Sequence, residues 1–179
     1  MLIPFGILSA AGVSVDTGAT YELISTTILG GTAASVTFSG LGDYASTYKH
    51  LQLRVAGNNT TSGAWRFRLN ADTGNNYSYH LLYGNGSSAL SANATSQSSG
   101  YLGFATANTN VSCVAVMDIL DFASTTKNTT TRSINADVNF NVIVASSGWY
   151  STAAVTSLTL LANVNFVTGS RFSLYGIRG

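Results

Sequence analysis

The residues able to do chemistry are few in this chain, and they lie far apart. His50 and His80 are its only histidines, and each stands alone in a run of aliphatic and aromatic residues. The chain has no H-x-x-x-H or C-x-x-C spacing, so no zinc site is expected. Serines abound, but no G-x-S-x-G elbow singles one out as the nucleophile of a triad. The one cysteine, Cys113, lies in the apolar run VSCVAVMDIL and reads as a small buried hydrophobe. With one cysteine no intrachain disulfide can form.

The acids are Asp16, Glu22, Asp43, Asp72, Asp118, Asp121 and Asp137. Only DILD brings two together. Asp118 and Asp121 are three apart, which on a strand sets them on opposite faces, so they do not make a glycosidase pair by spacing. The stretch LNADTGNNYS (residues 69–78) is the densest in turn residues. Asn70 and Asp72 can bond the backbone, and Gly74 admits positive φ. It supplies calcium with a single carboxylate, so a structural hairpin is the better reading. No G-x-G-x-x-G or P-loop follows a strand. The expectation is a protein that is not an enzyme and holds no metal or cofactor.

Two aromatics remain as binding candidates. Trp149 and Tyr150 sit beside a glycine turn in SSGWYS. Exposed, they would stack on a glycan or anchor an interface. The competing reading is a strand-end aromatic folded over the core.

The elements that position these residues are strands. The chain has 179 residues, of which 45% are hydrophobic. That suits one domain with a real core. Charged residues are only 8%, against about 25% in an ordinary soluble domain. The polar surface must come from 23 Ser, 22 Thr, 15 Asn and 18 Gly. Thr suits strands, and the others suit turns. Eight basic and seven acidic residues leave a net charge of +1. That gives no electrostatic footprint for nucleic acid or an anionic membrane. A surface so poor in charge needs help to stay soluble, and one explanation is that other subunits cover much of it.

Strand-like runs follow one another at the spacing of sandwiches and barrels. KHLQLRVAG alternates Leu51, Leu53 and Val55 with Gln52 and Arg54, and AWRFRLN alternates Trp65, Phe67 and Leu69 with Arg66 and Arg68. NYSYHLLYG places Tyr77, Tyr79, Leu81 and Tyr83 on one side. NGSSALSANATSQSSG reads as an exposed loop. VSCVAVMDILDF, nearly continuous in apolar residues, reads as a central strand, and TTTRSINADVNFNVIVA as one or two strands. The terminal SRFSLYGIRG is apolar on both faces, as for a last strand inserted beside an early one. The expected fold is all-β: a jelly-roll-like antiparallel β-sandwich of about ten strands.

Residues 1–20 read as an extended N-terminal arm, and residues 21–179 as the sandwich domain. Leu2, Ile3, Phe5, Ile7 and Leu8 make the arm sticky, so they are candidates for an assembly interface. The arm lacks the basic n-region and continuous h-region of a signal peptide. It is also too short for a membrane helix of roughly 20 apolar residues.

The phrases ASVTFSGL, YKHLQLRV, WRFRLNADTGNNYSYHLLYGNG, DILDFASTTKNTTTRSI, AVTSLTLL and NFVTGSRFSLYGIRG, in that order, resemble a group of structural proteins of tailed bacteriophages, especially phages of aquatic bacteria. The resemblance covers most of residues 21–179 and leaves out the arm. It brings no catalytic residues. It implies a virion component assembled in the host cytoplasm, bound to the major capsid protein or other virion proteins. The favoured expectation is a capsid decoration (cement) protein, a homo-trimer by analogy with sandwiches docked at threefold positions. The alternative is a tail fibre or spike component whose loops bind a host surface glycan through Trp149 and Tyr150.

Overall fold

The computed structural model describes residues 20–107, 112–136 and 141–179. The expected arm anchors Leu2, Ile3, Phe5, Ile7 and Leu8 lie outside the described residues. The rest is strand and turn. The strands are β1 (Tyr21–Ile28), β2 (Ala33–Phe38), β3 (His50–Gly57), β4 (Gly63–Leu69), β5 (Tyr77–Gly84) and β6 (Ala89–Gln97), followed by β7 (Gly100–Ala105), β8 (Cys113–Ile119), β9 (Thr129–Ala136), β10 (Val142–Trp149), β11 (Leu158–Phe166) and β12 (Arg171–Ile177). One turn of 3-10 helix, Leu41–Tyr44, links β2 to β3.

Two antiparallel sheets face each other. The large one has the order β1-β12-β3-β8-β9-β10-β5-β6, and the small one β2-β11-β4-β7. The all-β sandwich expected from composition is the fold. It has twelve strands among the described residues, against about ten expected. The strand missed is β6, in the stretch that read as a loop. Its residues are small and polar with no apolar alternation, because it is an edge strand exposed on almost every residue.

Alternation sets the core. Leu51, Leu53 and Val55 of β3 turn inward, as do Trp65, Phe67 and Leu69 of β4, and all are buried. They meet Met117 and Ile119 of β8, Leu158 and Leu160 of β11, and Phe172 and Leu174 of β12 in one cluster. The long apolar run around Cys113 forms β8, fourth of eight strands and thus central as expected.

The closing strand behaves as its pattern implied. β12 lies between β1 and β3, pairing Ile177 with Tyr21 and Leu174 with Leu53. Gly176 has a steric reason: a Cβ there would lie 2.2 Å from Cδ2 of Tyr48. The Tyr48 hydroxyl in turn donates to the carboxylate of Glu22 on β1.

The connection at residues 70–76 is not the hairpin expected from its turn residues. β4 belongs to the small sheet and β5 to the large one, so this turn crosses between sheets. Asn70 adopts a left-handed φ of 53° and clamps a distant loop. Its Nδ2 donates to the Ala154 carbonyl at 2.8 Å, and its Oδ1 accepts from the Thr156 N–H at 2.7 Å. Turn chemistry is legible locally, but whether the flanking strands pair is decided by partners far along the chain.

Candidate functional site

The two sheets differ in width. Seven strand spacings make the large sheet about 34 Å across, and three make the small one about 14 Å. The large sheet therefore overhangs, and the small sheet's edge strand β7 abuts its inner face. Polar side chains of β9 and β10 meet that edge. Ser133 Oγ donates to the Leu102 carbonyl at 2.9 Å, and the Phe104 N–H donates to Asn135 Oδ1 at 2.9 Å. Ser147 Oγ accepts from the Tyr101 N–H at 3.1 Å. Gly103 is required here, since a Cβ would lie 2.5 Å from Cγ of Asn135. Thr129, Thr131, Ser133 and Asn135 alternate inward on β9 and are buried. A buried backbone edge must find partners, and this polar stripe provides them.

Beyond β7 the overhang roofs a groove of about 310 Å³. Leu81 and Tyr83 of β5, Ile143 of β10, and Tyr101 and Phe104 of β7 line it. These residues form a satellite cluster apart from the main core. Tyr101 stacks obliquely on Tyr79 with centroids 5.3 Å apart, and the Arg66 guanidinium lies over both rings at 5.7 and 5.4 Å. Burial pushes the Tyr101 hydroxyl up to about 12. Among the described residues that line it, none is charged.

The outer face of the same sheet is also apolar. Leu82, Val114, Ile134, Val142 and Val144 are 65%, 48%, 52%, 53% and 52% exposed. The register makes them neighbours. Val144 stands opposite Ile134 on one side and Leu82 on the other, while Val142 and Val114 both stand opposite Ala136. A contiguous patch thus spans β8, β9, β10 and β5. Its flank is neutralised from within: Arg132 Nε donates to Asp118 Oδ2 at 2.8 Å, and Gln52 Nε2 donates to Asp118 Oδ1 at 2.8 Å. Further along, Tyr21 and Tyr175 stack with centroids 4.8 Å apart, and the Arg54 guanidinium lies against the pair at 5.0 and 4.9 Å from the two centroids. A monomeric protein rarely leaves such a patch bare.

The residues singled out from sequence are dispersed. Trp149 is 3% exposed, which corrects the expectation that it offers a ring to a glycan. It stacks on Tyr77 at 6.4 Å between centroids, and its indole N–H donates to Asp72. Its neighbour Tyr150 is 58% exposed, with its hydroxyl 3.0 Å from Ser78 Oγ. Asp118 and Asp121 engage different cations. Asp121, at φ 48°, binds Lys127 and Lys49, and its backbone N–H donates to His50 Nδ1 at 2.9 Å. The Lys127 hydrogen bond, ahead of opposing desolvation, holds the Asp121 carboxyl below the usual carboxylate range. His80 stands exposed on the outer face, opposite Ser146 and Asn93. Among the described residues no three His, Cys, Asp or Glu gather where a metal could bind, and no helix is long and apolar enough to cross a membrane.

Sequence reasoning missed both apolar surfaces. One signal was available. In TTTRSINA the polar Thr, Ser and Asn alternate with Arg132 and Ile134, and that pattern admits polar-in as readily as polar-out.

No protein-family model matches the chain, and no curated protein matches it. Among solved structures it is similar to the exo-inulinase from Aspergillus awamori, at 8% identity and a TM-score of 0.32. That likeness covers 89% of this chain and 29% of the enzyme's. The chain spans less than a third of that protein, and a likeness this slight carries no argument.

Proposed function

We propose that the protein is a virion structural subunit, a capsid decoration (cement) protein that coats and stabilises a phage head by adhesion to its neighbours. The observation that carries this reading is the exposed apolar patch of Leu82, Val114, Ile134, Val142 and Val144 on a chain with 8% charged residues. Burying such a face contributes about 25 cal/mol per Å² of apolar area. A stable contact buries roughly 800 Å² per partner, and the patch serves as its centre with Asp118, Arg132 and His80 at the rim. The work is mechanical: area buried between neighbouring subunits opposes the outward pressure of packaged DNA. The resemblance of residues 21–179 to phage structural proteins points the same way, with a homo-trimer as the assembling unit and the major capsid protein as partner.

The alternative, a tail fibre component on a host glycan, has weaker support. Of its two aromatics Tyr150 alone is exposed. The test is a pelleting assay in which purified protein is mixed with phage heads lacking it. The wild type should sediment with the heads, and an Ile134→Lys, Val144→Lys variant with unchanged circular dichroism should stay in solution. Undiminished coating by that variant would remove the patch from the account.

A further inference from the structure

Of the 15 asparagines in the chain, Asn85 is the one that precedes a glycine. It sits in the loop that joins β5 to β6, where Asn85, Gly86, Ser87 and Ser88 are all exposed. A side-chain amide in that position carries chemistry of its own. The backbone nitrogen of the next residue can attack Cγ of the asparagine, and a next residue without Cβ leaves that approach unhindered. Gly86 stands in open space: a Cβ built on it meets nothing within 4 Å. Its φ of 83° is one that glycine adopts freely.

Hydrogen bonds separate Asn85 from other asparagines. Asn59, Asn70, Asn76 and Asn135 each use the amide nitrogen as a donor. The acceptors are the Gly63 carbonyl at 3.0 Å, the Ala154 carbonyl at 2.8 Å, Asp72 Oδ2 at 2.9 Å and the Val114 carbonyl at 3.0 Å. Each of those bonds holds in place the group that would have to leave. Asn85 is bonded the other way round. Its Oδ1 accepts from the Ser87 N–H at 3.0 Å and from the Ser88 N–H at 2.9 Å. Among the described residues neither its Nδ2 nor the Gly86 N–H has a partner.

Attack at Cγ puts negative charge on Oδ1. Two N–H donors already aimed at that atom are the arrangement that stabilises such an oxyanion. Nucleophile, oxygen and leaving amine therefore each stand as the reaction needs them: the first unengaged, the second held by two donors, the third unbound.

We infer that Asn85 is a site of self-modification, at which the Gly86 nitrogen closes a succinimide ring and the asparagine becomes aspartate or isoaspartate. The Gly86 nitrogen gives its proton to a solvent base and bonds to Cγ. The Cγ–Nδ2 bond breaks, and the amine takes up a proton and leaves as ammonia. Water, the one co-reactant, then opens the ring, and nothing is oxidised or reduced. Its attack at Cγ gives aspartate. Its attack at the main-chain carbonyl carbon gives isoaspartate, with the side-chain methylene inserted into the backbone. Either product replaces a neutral amide with a carboxylate, so the net charge of +1 falls by one to 0. The aspartate keeps both N–H donors, now in charge-assisted bonds. The isoaspartate lengthens the turn and disturbs the pairing of Gly84 with Ala89 at its base. Gly84 also stands opposite Val142, so the change falls at the rim of the outer apolar patch. Asn85 reacts in this way whether or not the protein assembles.

The test is ageing of the purified full chain in mildly alkaline buffer, which favours the deprotonated nitrogen, beside the same chain unfolded in urea as the time reference. Peptide mapping of the folded protein should find aspartate and isoaspartate at position 85, formed at least tenfold faster than at any other asparagine. Hydroxylamine added to the folded protein should intercept the ring and cut the chain between Asn85 and Gly86. An Asn85→Gln variant with unchanged circular dichroism should resist both treatments, because its longer side chain cannot close the same ring. If Asn85 stays intact in the folded protein over the time in which the unfolded chain converts, the turn protects the amide and the inference is overturned. Conversion of another asparagine as fast as Asn85, or no cut by hydroxylamine, would overturn it as well. Head binding enters none of these readouts, so their failure would leave the proposed function standing.

Discussion

The indole N–H of Trp149 donates to Oδ2 of Asp72 at 2.7 Å, joining the end of β10 to the turn that carries the chain from one sheet to the other. The same carboxylate accepts from the Gly74 N–H at 2.8 Å and from Asn76 Nδ2 at 2.9 Å. One ionised group thus holds both the turn and the tryptophan that covers the end of the core.

These bonds make stability depend on acid. The Trp149 hydrogen bond, with help from Asn76 and Gly74 against opposing desolvation, holds the Asp72 carboxyl below the usual carboxylate range. A depressed folded pKa contributes stability above the unfolded value near 3.9, and that stability is lost as pH falls through the lower folded value. A Trp149→Phe variant should lose about 1 kcal/mol at pH 7, below the roughly 1.5–3 kcal/mol of a hydrogen bond to a charged group because Asp72 is partly exposed. The gap between variant and wild type should shrink as pH falls through the folded pKa. Urea melts across the acid range would show it, and a gap independent of pH would assign the loss to packing alone.

Gly176 tests the closing strand. Its Cα lies against the ring of Tyr48, and a methyl group would overlap that ring. Gly176→Ala should therefore cost about 2 kcal/mol through overpacking. In a Tyr48→Ala background the same substitution should cost much less. Thermal melts of the four proteins in the cycle measure the coupling, and purely additive losses would mean the ring is not what fixes glycine here.

Ser147 tests the polar stripe that seats β7. Its hydroxyl accepts from the Tyr101 N–H and donates to the Tyr101 carbonyl. Ser147→Ala should cost about 1–3 kcal/mol, because two buried backbone groups lose their partner. Amide exchange at Tyr101 should accelerate ahead of the core strands. Exchange unchanged at that amide would show that water takes over the serine's role.

Where one face met the core and the other met water, alternation was legible, as in β3 and β4. The closing strand was legible too, because apolar residues on both faces require neighbours on both sides. Three features were not. β6 has no hydrophobic period because almost nothing covers it. The residue 70–76 turn carries hairpin chemistry, yet the pairing of β4 with β11 and of β5 with β10 overrides it. The outer patch depends on β9 turning Ser133 and Asn135 inward to meet a backbone edge. That inversion is driven by a partner strand distant in sequence, so no local pattern announces it. Trp149 shows the same limit: a glycine neighbour suggested exposure, while Asp72 and Tyr77, far upstream, bury it.

The claim on which everything rests is that this chain is an adhesive subunit of a particle. Quantitative mass spectrometry of purified virions from cells producing it tests that most directly. The account predicts the protein in high copy, in fixed proportion to the major capsid protein and retained through gradient purification. Virions that contain none of it would contradict the account.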